Sequence, residues 1–238
     1  TKIASTEPGY ASVNQILGRT TGDFDIRDLT YLGRATIDPQ VFAVAADSDV
    51  NSIEDLEGQS VKHAGQDISP IETIVYDTFG IKGDFILHDA TSETVLAVRR
   101  GDSDITVSSL SSMLQYLGED QLKPILFVGT EEVNEDLLGY DKLKGVETIT
   151  DVGHEELGAV LEQYRVVAGP PEMPDCMSTI LSDAVSKTLA DEEFVAEAEK
   201  AELRVIPEGA DETTTRIAEI YSTFEKYSDA LKRALGEG

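Results

Sequence analysis

Three short stretches carry groups that could hold a small molecule: residues 65–69 (Gly-Gln-Asp-Ile-Ser), 88–92 (His-Asp-Ala-Thr-Ser) and 108–112 (Ser-Ser-Leu-Ser-Ser). Each sets small hydroxyl or amide groups after an apolar run and before a helical pattern. A strand that feeds a helix start presents free backbone N–H groups and the positive end of the helix dipole, a setting for an anion. None of the three contains Lys or Arg, so an anion there would meet neutral donors. The first has the fullest start signal. Ser69 reads as the N-cap, Pro70 as the first helical residue, and Glu72 closes an S-x-x-E capping box. Two readings stand. A plain strand–helix turn uses the same residues, and the Glu72 carboxylate can itself fill the cap. Recurrence of the pattern at two further strand ends is what speaks for binding.

Catalytic chemistry is not nominated. His63, His88 and His154 lie far apart, and His154-Glu155-Glu156 has Gly158 where a zinc-protease motif needs its second His. There is no nucleophile elbow, no P-loop and no dinucleotide fingerprint. Asp47-x-Asp49-x-Asn51 opens like a calcium loop, but Ser52 stands at its sixth position and Gly58 at its twelfth. Cys176 has no second cysteine for a disulfide or thiolate cluster, and reads as a small core residue rather than a nucleophile. The expectation is a protein that is not an enzyme, with no cofactor and no metal site.

The elements that must position the three stretches alternate. The pattern predicts strand 61–65, helix 69–79, strand 84–88, helix 92–100, strand 104–108, helix 109–117 and strand 124–128. Strands alternating with helices of this length mean βαβ units and a largely parallel sheet, with ligands beyond the carboxyl ends of the strands. Right-handed crossovers would put all three stretches on one sheet edge, as three capped helix starts. Upstream, 9–13 reads as a short strand, 29–36 as a short extended or helical piece, 40–45 as a buried strand and 52–56 as a short capped helix. Downstream, 130–157 has no clear pattern and 163–168 is a buried strand. Helix 175–189 opens on Asp175, with Ile180, Leu181, Ala184 and Val185 on one face; helix 191–201, strand 204–206 and helix 211–235 follow. The last carries Ile217, Ile220, Tyr221, Phe224 and Leu231 as a packing stripe.

The 238 residues, 40% hydrophobic, suffice for one or two globular domains. Asp and Glu number 46 against 19 Lys and Arg, a net charge of −27 spread along the whole chain. Such a field repels nucleic acid and anionic membranes, and reads as the solvated acidic surface of a protein from salt-adapted cells. No run approaches the roughly 18 apolar residues of a membrane span. The chain begins at Thr1, and a processed chain or a fragment is the expectation.

The runs YLGRATIDPQVFAVAADSDVNSIEDL, AGQDIS, ETVLAVRRGDSDITVSS and YRVVAGPPEMPDCMSTILSDAVSKTLADEEFVAEAEK, in this order, resemble the substrate-binding receptors of tripartite tricarboxylate transporters, the Bug family. Gly101-Asp102-Ser103-Asp104 matches a G-x-x-D before a strand, Tyr164 to Pro174 loosely matches an aromatic, Gly and Pro run, and Leu189 to Val195 matches a closing A-L-x-D-P-x-V. The resemblance implies a type II periplasmic-binding-protein fold: two α/β lobes, a crossing-strand hinge and a ligand held between the lobes. Lobe I would comprise 1–46 and 169–238, lobe II 47–168. It implies a receptor that captures a small organic carboxylate outside the membrane, periplasmic or anchored at the cell surface, and delivers it to the permease subunits of the transporter. Ligand-facing positions by resemblance are Gly65, Gln66, Asp67, Ser69, His88, Thr91, Ser108 and Ser109. His88 stands where the family usually has Tyr, Ser108 where many members have Asp, and Tyr164 where Trp is usual. Family members also begin with a strand and a P-G-G-x-x-D loop with no counterpart here, so lobe I is expected to lack its first βα unit. Two rivals share the fold. The effector-binding half of a transcription regulator is opposed by the charge and by the lack of a helix-turn-helix; a small-molecule enzyme would need a base among His63, His88 and His154.

The dispersed acids yield a first prediction. Screening removes their mutual repulsion, so the thermal midpoint should rise from low salt to molar KCl. A midpoint that is flat or falls with KCl removes the salt-adaptation reading.

Overall fold

A computed structural model describes residues 2–20, 24–200 and 203–236. In chain order its elements are β1 (Ala4–Thr6), α1 (Pro8–Ile16), β2 (Thr30–Asp38), β3 (Gln40–Ala45), β4 (Ser60–Gly65), α2 (Pro70–Thr78), β5 (Lys82–Leu87), α3 (Thr91–Arg99), β6 (Ile105–Ser109), α4 (Leu110–Met113), β7 (Leu122–Val128), α5 (Tyr140–Leu143), α6 (Glu155–Leu161), β8 (Gln163–Gly169), α7 (Asp175–Leu189), α8 (Glu192–Lys200), α9 (Ala210–Lys226) and α10 (Ser228–Ala234). They form two units. Unit 1 comprises residues 1–38 and 163–228, and unit 2 comprises 39–162 and 229–238. The chain thus crosses between units at Asp38/Pro39 and Glu162/Gln163, inside the segments expected as 1–46 and 47–168, and 229–238 joins unit 2.

Unit 1 is built on an antiparallel sheet of order β1-β8-β2. β8 pairs with both neighbours, Ala168 opposite Ala4 on one side and Tyr31 on the other, and the β2 ladder ends at Asp38 opposite Gln163. α9 supplies the apolar cover, with Ile217, Ile220, Tyr221 and Phe224 buried as their spacing requires. The expected strand over 9–13 is instead the body of α1. Glu7 precedes it, its carboxylate accepting from Gly9 N at 3.0 Å and Tyr10 N at 2.8 Å, and Pro8 occupies the first turn. An acid-Pro pair is a helix start, and it overrides the β preference of the Tyr and Val that follow. The expected strand 204–206 is no regular strand. Ile206 N and Glu208 N donate to Ala35 O and Arg34 O along the β2 edge, at 2.9 and 3.1 Å.

The readings of the C-terminal helix and of α7 change. The long C-terminal helix breaks at Tyr227 into α9 and α10, and Leu231 of α10 is buried within unit 2, where Arg233 pairs with Asp77 of α2 at 2.7 Å. α7 takes Pro174, not Asp175, as its cap residue. Of its side chains only Leu189 is buried, Ile180 is 68% exposed, and Cys176 is exposed rather than in a core.

Unit 2 carries a five-stranded sheet of order β5-β4-β6-β3-β7. β4 runs parallel to β5 and β6, whereas β3 is antiparallel to both β6 and β7. β3 is the single reversed strand of this sheet; it follows β2 of unit 1 through Pro39 alone, with no helix between them. The register sorts side chains onto two faces. His63, Phe85, Val107 and Phe42 share one face, where Tyr76 of α2 packs with ring centroids 6.2 Å from Phe42 and 6.3 Å from Phe85. Val41, Ala43 and Ala64 share the other, in one buried cluster with Val95 and Val98 of α3 and Leu110 and Met113 of α4. The sheet is therefore covered on both sides, as a βαβ pattern demands. The expected helix 109–117 is shorter, α4 followed by one 3-10 turn at Leu114–Tyr116. The expected helix 52–56 is one 3-10 turn, with Asp55 accepting from Asn51 N at 2.8 Å and Ser52 N at 3.1 Å. The calcium-like loop holds the ammonium of Lys123, which donates to Ser48 O at 2.8 Å and Asn51 Oδ1 at 2.9 Å.

Close packing of α2 on β5 makes Gly83 critical. A Cβ there would lie 2.9 Å from the Tyr76 ring and 3.1 Å from Phe85. Gly83→Ala should cost about 1–3 kcal/mol in a denaturant melt, since a fixed ring must move. A variant as stable as the parent would mean that Tyr76 is free to shift.

Candidate functional site

The parallel ladder brings the three sequence stretches to one edge of unit 2. β4 lies between the other two strands, and its last residue, Gly65, is opposite Leu87 of β5. On its other side β6 continues past the Ala64–Thr106 pair to Ser108 and Ser109. The ends of β5, β4 and β6 therefore sit side by side.

Direct hydrogen bonds join the first two stretches. His88 N donates to Gly65 O at 2.9 Å, which extends the ladder past β5. Gln66 Nε2 donates to Asp89 O at 3.4 Å, and Thr91 Oγ1 donates to Gln66 Oε1 at 3.1 Å. One amide side chain therefore ties the β4–α2 loop to the start of α3. His88 Nε2 is shut off from solvent and has no hydrogen-bond partner among the described residues. The third stretch forms its own group: the Ser109 hydroxyl lies 3.1 Å from Ser112 Oγ and 3.3 Å from Ser111 Oγ. Ser108 and Ser109 are consecutive in β6, so their side chains leave opposite faces of the sheet.

The helix starts differ more than their sequences suggest. α2 has the full capping box: Ser69 N and Ser69 Oγ both donate to the Glu72 carboxylate, and Ile71 N donates to Ser69 Oγ at 3.2 Å. α3 has Ala90 at its cap position and no side-chain cap, while Glu93 reaches back to accept from Asp89 N at 3.1 Å. α4 has Ser109 at its cap position, also without a side-chain cap bond. Only one of the three expected caps is thus made by a side chain. Gly65 is required by close approach, because a Cβ there would lie 2.9 Å from Asp67 O and 3.2 Å from the His63 ring.

Beneath this edge lies a buried polar pair. His63 Nδ1 and Tyr76 Oη are 2.7 Å apart, and His63 Nε2 has no partner among the described residues. Burial pushes His63 down to about 3, so the ring is neutral at physiological pH. Burial pushes Glu72 up to about 7, against the hydrogen bonds from Ser69, which lower it; nearby Asp67 raises it further. Ser111 and Ser112 belong to the 108–112 stretch but not to the ligand-facing positions implied by the resemblance, and the Asp89 carbonyl is named in neither role. The S-x-S-S spacing is the available signal for the two serines.

No family model matches the chain, and no curated protein matches its sequence. Solved structures do match. A TctC solute-binding protein from Polaromonas aligns with a TM-score of 0.77 at 15% identity, over 94% of this chain and 76% of that one. MatC from Rhodopseudomonas palustris, solved with bound malate, aligns at 0.68 and 13% identity, over 95% of this chain and 78% of that one. Another R. palustris protein, solved with adipate, aligns at 0.67 and 17%, over 96% and 76%. The chain has the two-unit α/β fold of the periplasmic solute-binding proteins. More narrowly, its fold is that of the TctC and Bug receptors.

The two shifted groups set a pH dependence of stability. Glu72 is raised from 4.5 to about 7 on folding, so its contribution is complete below 4.5 and is lost as pH rises through 7. His63 is depressed from 6.5 to about 3, so its contribution is present above 6.5 and lost as pH falls toward 3. Between 4.5 and 6.5 the two slopes oppose each other. Above 6.5 Glu72 acts alone of the pair, and stability should fall through neutrality. Denaturant melts across this range should show that decline in the parent and its loss in Glu72→Gln, which keeps a capping-box side chain. Parallel pH profiles for the two proteins would count against a titrating Glu72.

Proposed function

We propose that this protein is an extracytoplasmic receptor for a small organic carboxylate, delivering it to the permease of a tripartite tricarboxylate-type transporter. The observation that carries this reading is the match of nearly the whole chain to a TctC solute-binding protein and to proteins solved with malate and with adipate. The chemistry of the unit 2 edge supports it. Gly65, Gln66, Asp67, Ser69, His88, Thr91, Ser108 and Ser109 form or flank the proposed site, which offers hydroxyls, amides and helix-start N–H groups without Lys or Arg. Their parts differ. The Ser69 hydroxyl is engaged within its cap, so Gly65 and Ser69 shape the loop, while Gln66, Thr91 and Ser109 present polar atoms. Neutral donors suit a carboxylate in an acidic protein, because aligned amide dipoles supply positive potential without a cation that the surrounding acids would pair with.

Calorimetry with malate, adipate, succinate and citrate tests the reading. At least one should bind, and Ser109→Ala should weaken it by about 0.5–1.5 kcal/mol, the net worth of one hydrogen bond. Because Ser109 also bonds Ser111 and Ser112, a melt of the variant must accompany the titration. Absence of binding by the whole panel would overturn the receptor assignment.

A further inference from the structure

We propose that Glu72 is a positioning residue that links ligand binding to proton uptake: an anion held at the Gly65–Ser69 loop binds better when the Glu72 carboxyl is protonated. This rests on the carboxylate-receptor reading above. Glu72 is 1% exposed, and its two oxygens take the amide and the hydroxyl of Ser69, the residue that ends this loop. A ligand carboxylate at the loop would therefore add a second negative charge beside one already buried. Like charges in a site of reduced dielectric resist joint ionisation, so each favours the neutral form of the other. By reciprocity, a ligand whose presence raises the proton affinity of Glu72 gains affinity when Glu72 is protonated.

Hydrogen bonds from Ser69 offset this charge only in part, and burial outweighs them. Asp67 bears on it from the loop, and it faces Tyr76 one turn along α2. Asp104 acts on Tyr76 from the residue before β6, and His63 on β4 bonds Tyr76 as a neutral ring. Farther along α2, Asp77 is paired with Arg233. The upward displacement of Glu72 to about 7 puts its titration in the range where a free aliphatic dicarboxylate is already ionised. The protonated carboxyl keeps the cap: its carbonyl oxygen accepts from Ser69 N, and its O–H can donate to Ser69 Oγ. Protonation thus removes charge without dismantling the loop.

The experiment is calorimetric titration of malate and adipate between pH 6.5 and 8.5, with buffers of different ionisation enthalpy at pH 7 to count protons. The parent should take up a fraction of a proton on binding and bind on the order of tenfold more tightly at the acid end. Glu72→Gln, a neutral side chain of the same shape, should bind with little pH dependence and no proton uptake, near the acid-end affinity of the parent. A merely structural Glu72 would change affinity equally at every pH. Two outcomes overturn the proposal: a flat profile in the parent, or a slope that survives Glu72→Gln. Failure of either acid to bind at any pH overturns the proposal for these probes, and only failure of the wider panel at the same time removes the receptor reading.

Discussion

The hydrogen bond between His63 and Tyr76 seats α2 on the sheet of unit 2, and the candidate edge depends on that seating. His63 is fully buried on β4, and Tyr76 reaches it from α2 at 2.7 Å while packing near Phe42 and Phe85. A buried phenol and a buried imidazole each lose hydration, and the bond between them recovers part of it. The neutral ring is what makes the pair tolerable: a charged imidazole here would need a partner that the apolar rings do not provide. With Tyr76 fixed, α2 starts at one place, and the loop from Gly65 to Ser69 is pressed against the His63 ring so closely that residue 65 has no room for a side chain.

Charge works differently at the two scales of this molecule. Over the whole chain the excess of acids repels anions, a long-range field that salt screens within about 10 Å at 0.1 M. At the edge of the sheet the relevant groups are backbone amides and hydroxyls within hydrogen-bond distance, where orientation outweighs net charge. The same short-range logic governs the internal acids. Glu7 closes the start of α1 and Glu72 the start of α2, each by accepting from backbone amides, and for each the largest effect on its pKa is the upward push of burial.

The sequence is most legible where a local rule dictates structure. The Ser69-Pro70-x-Glu72 box forms as its spacing requires, and β4, β5 and β6 fall close to their expected places. Strand direction is not a local property, so the reversed β3 between β6 and β7 leaves no mark in the apolar pattern. The α1 helix escapes a reading by periodicity because Tyr10, Ala11 and Val13 satisfy a short strand pattern as well as a helical one; only Glu7-Pro8 decides between them. The apolar stripe of α7 shows that periodicity names a face but not what covers it, since Ile180 lies largely in solvent. The expected caps at α3 and α4 are not made because Ser and Thr near a helix start need not point back at its amides.

The unfilled caps decide where an anion can be met. A helix start has a limited set of unpaired N–H groups, and a carboxylate from the protein itself uses the same ones that a ligand would. At α1 and α2 that use is already made, by Glu7 and Glu72. At α3 no side chain caps the first turn, and Thr91 turns its hydroxyl to Gln66 instead. The amides least claimed by the protein therefore lie beside the residue that bridges two strand ends. Polar recognition at this edge is set less by the number of serines and threonines than by which first-turn amides the protein's own side chains leave open.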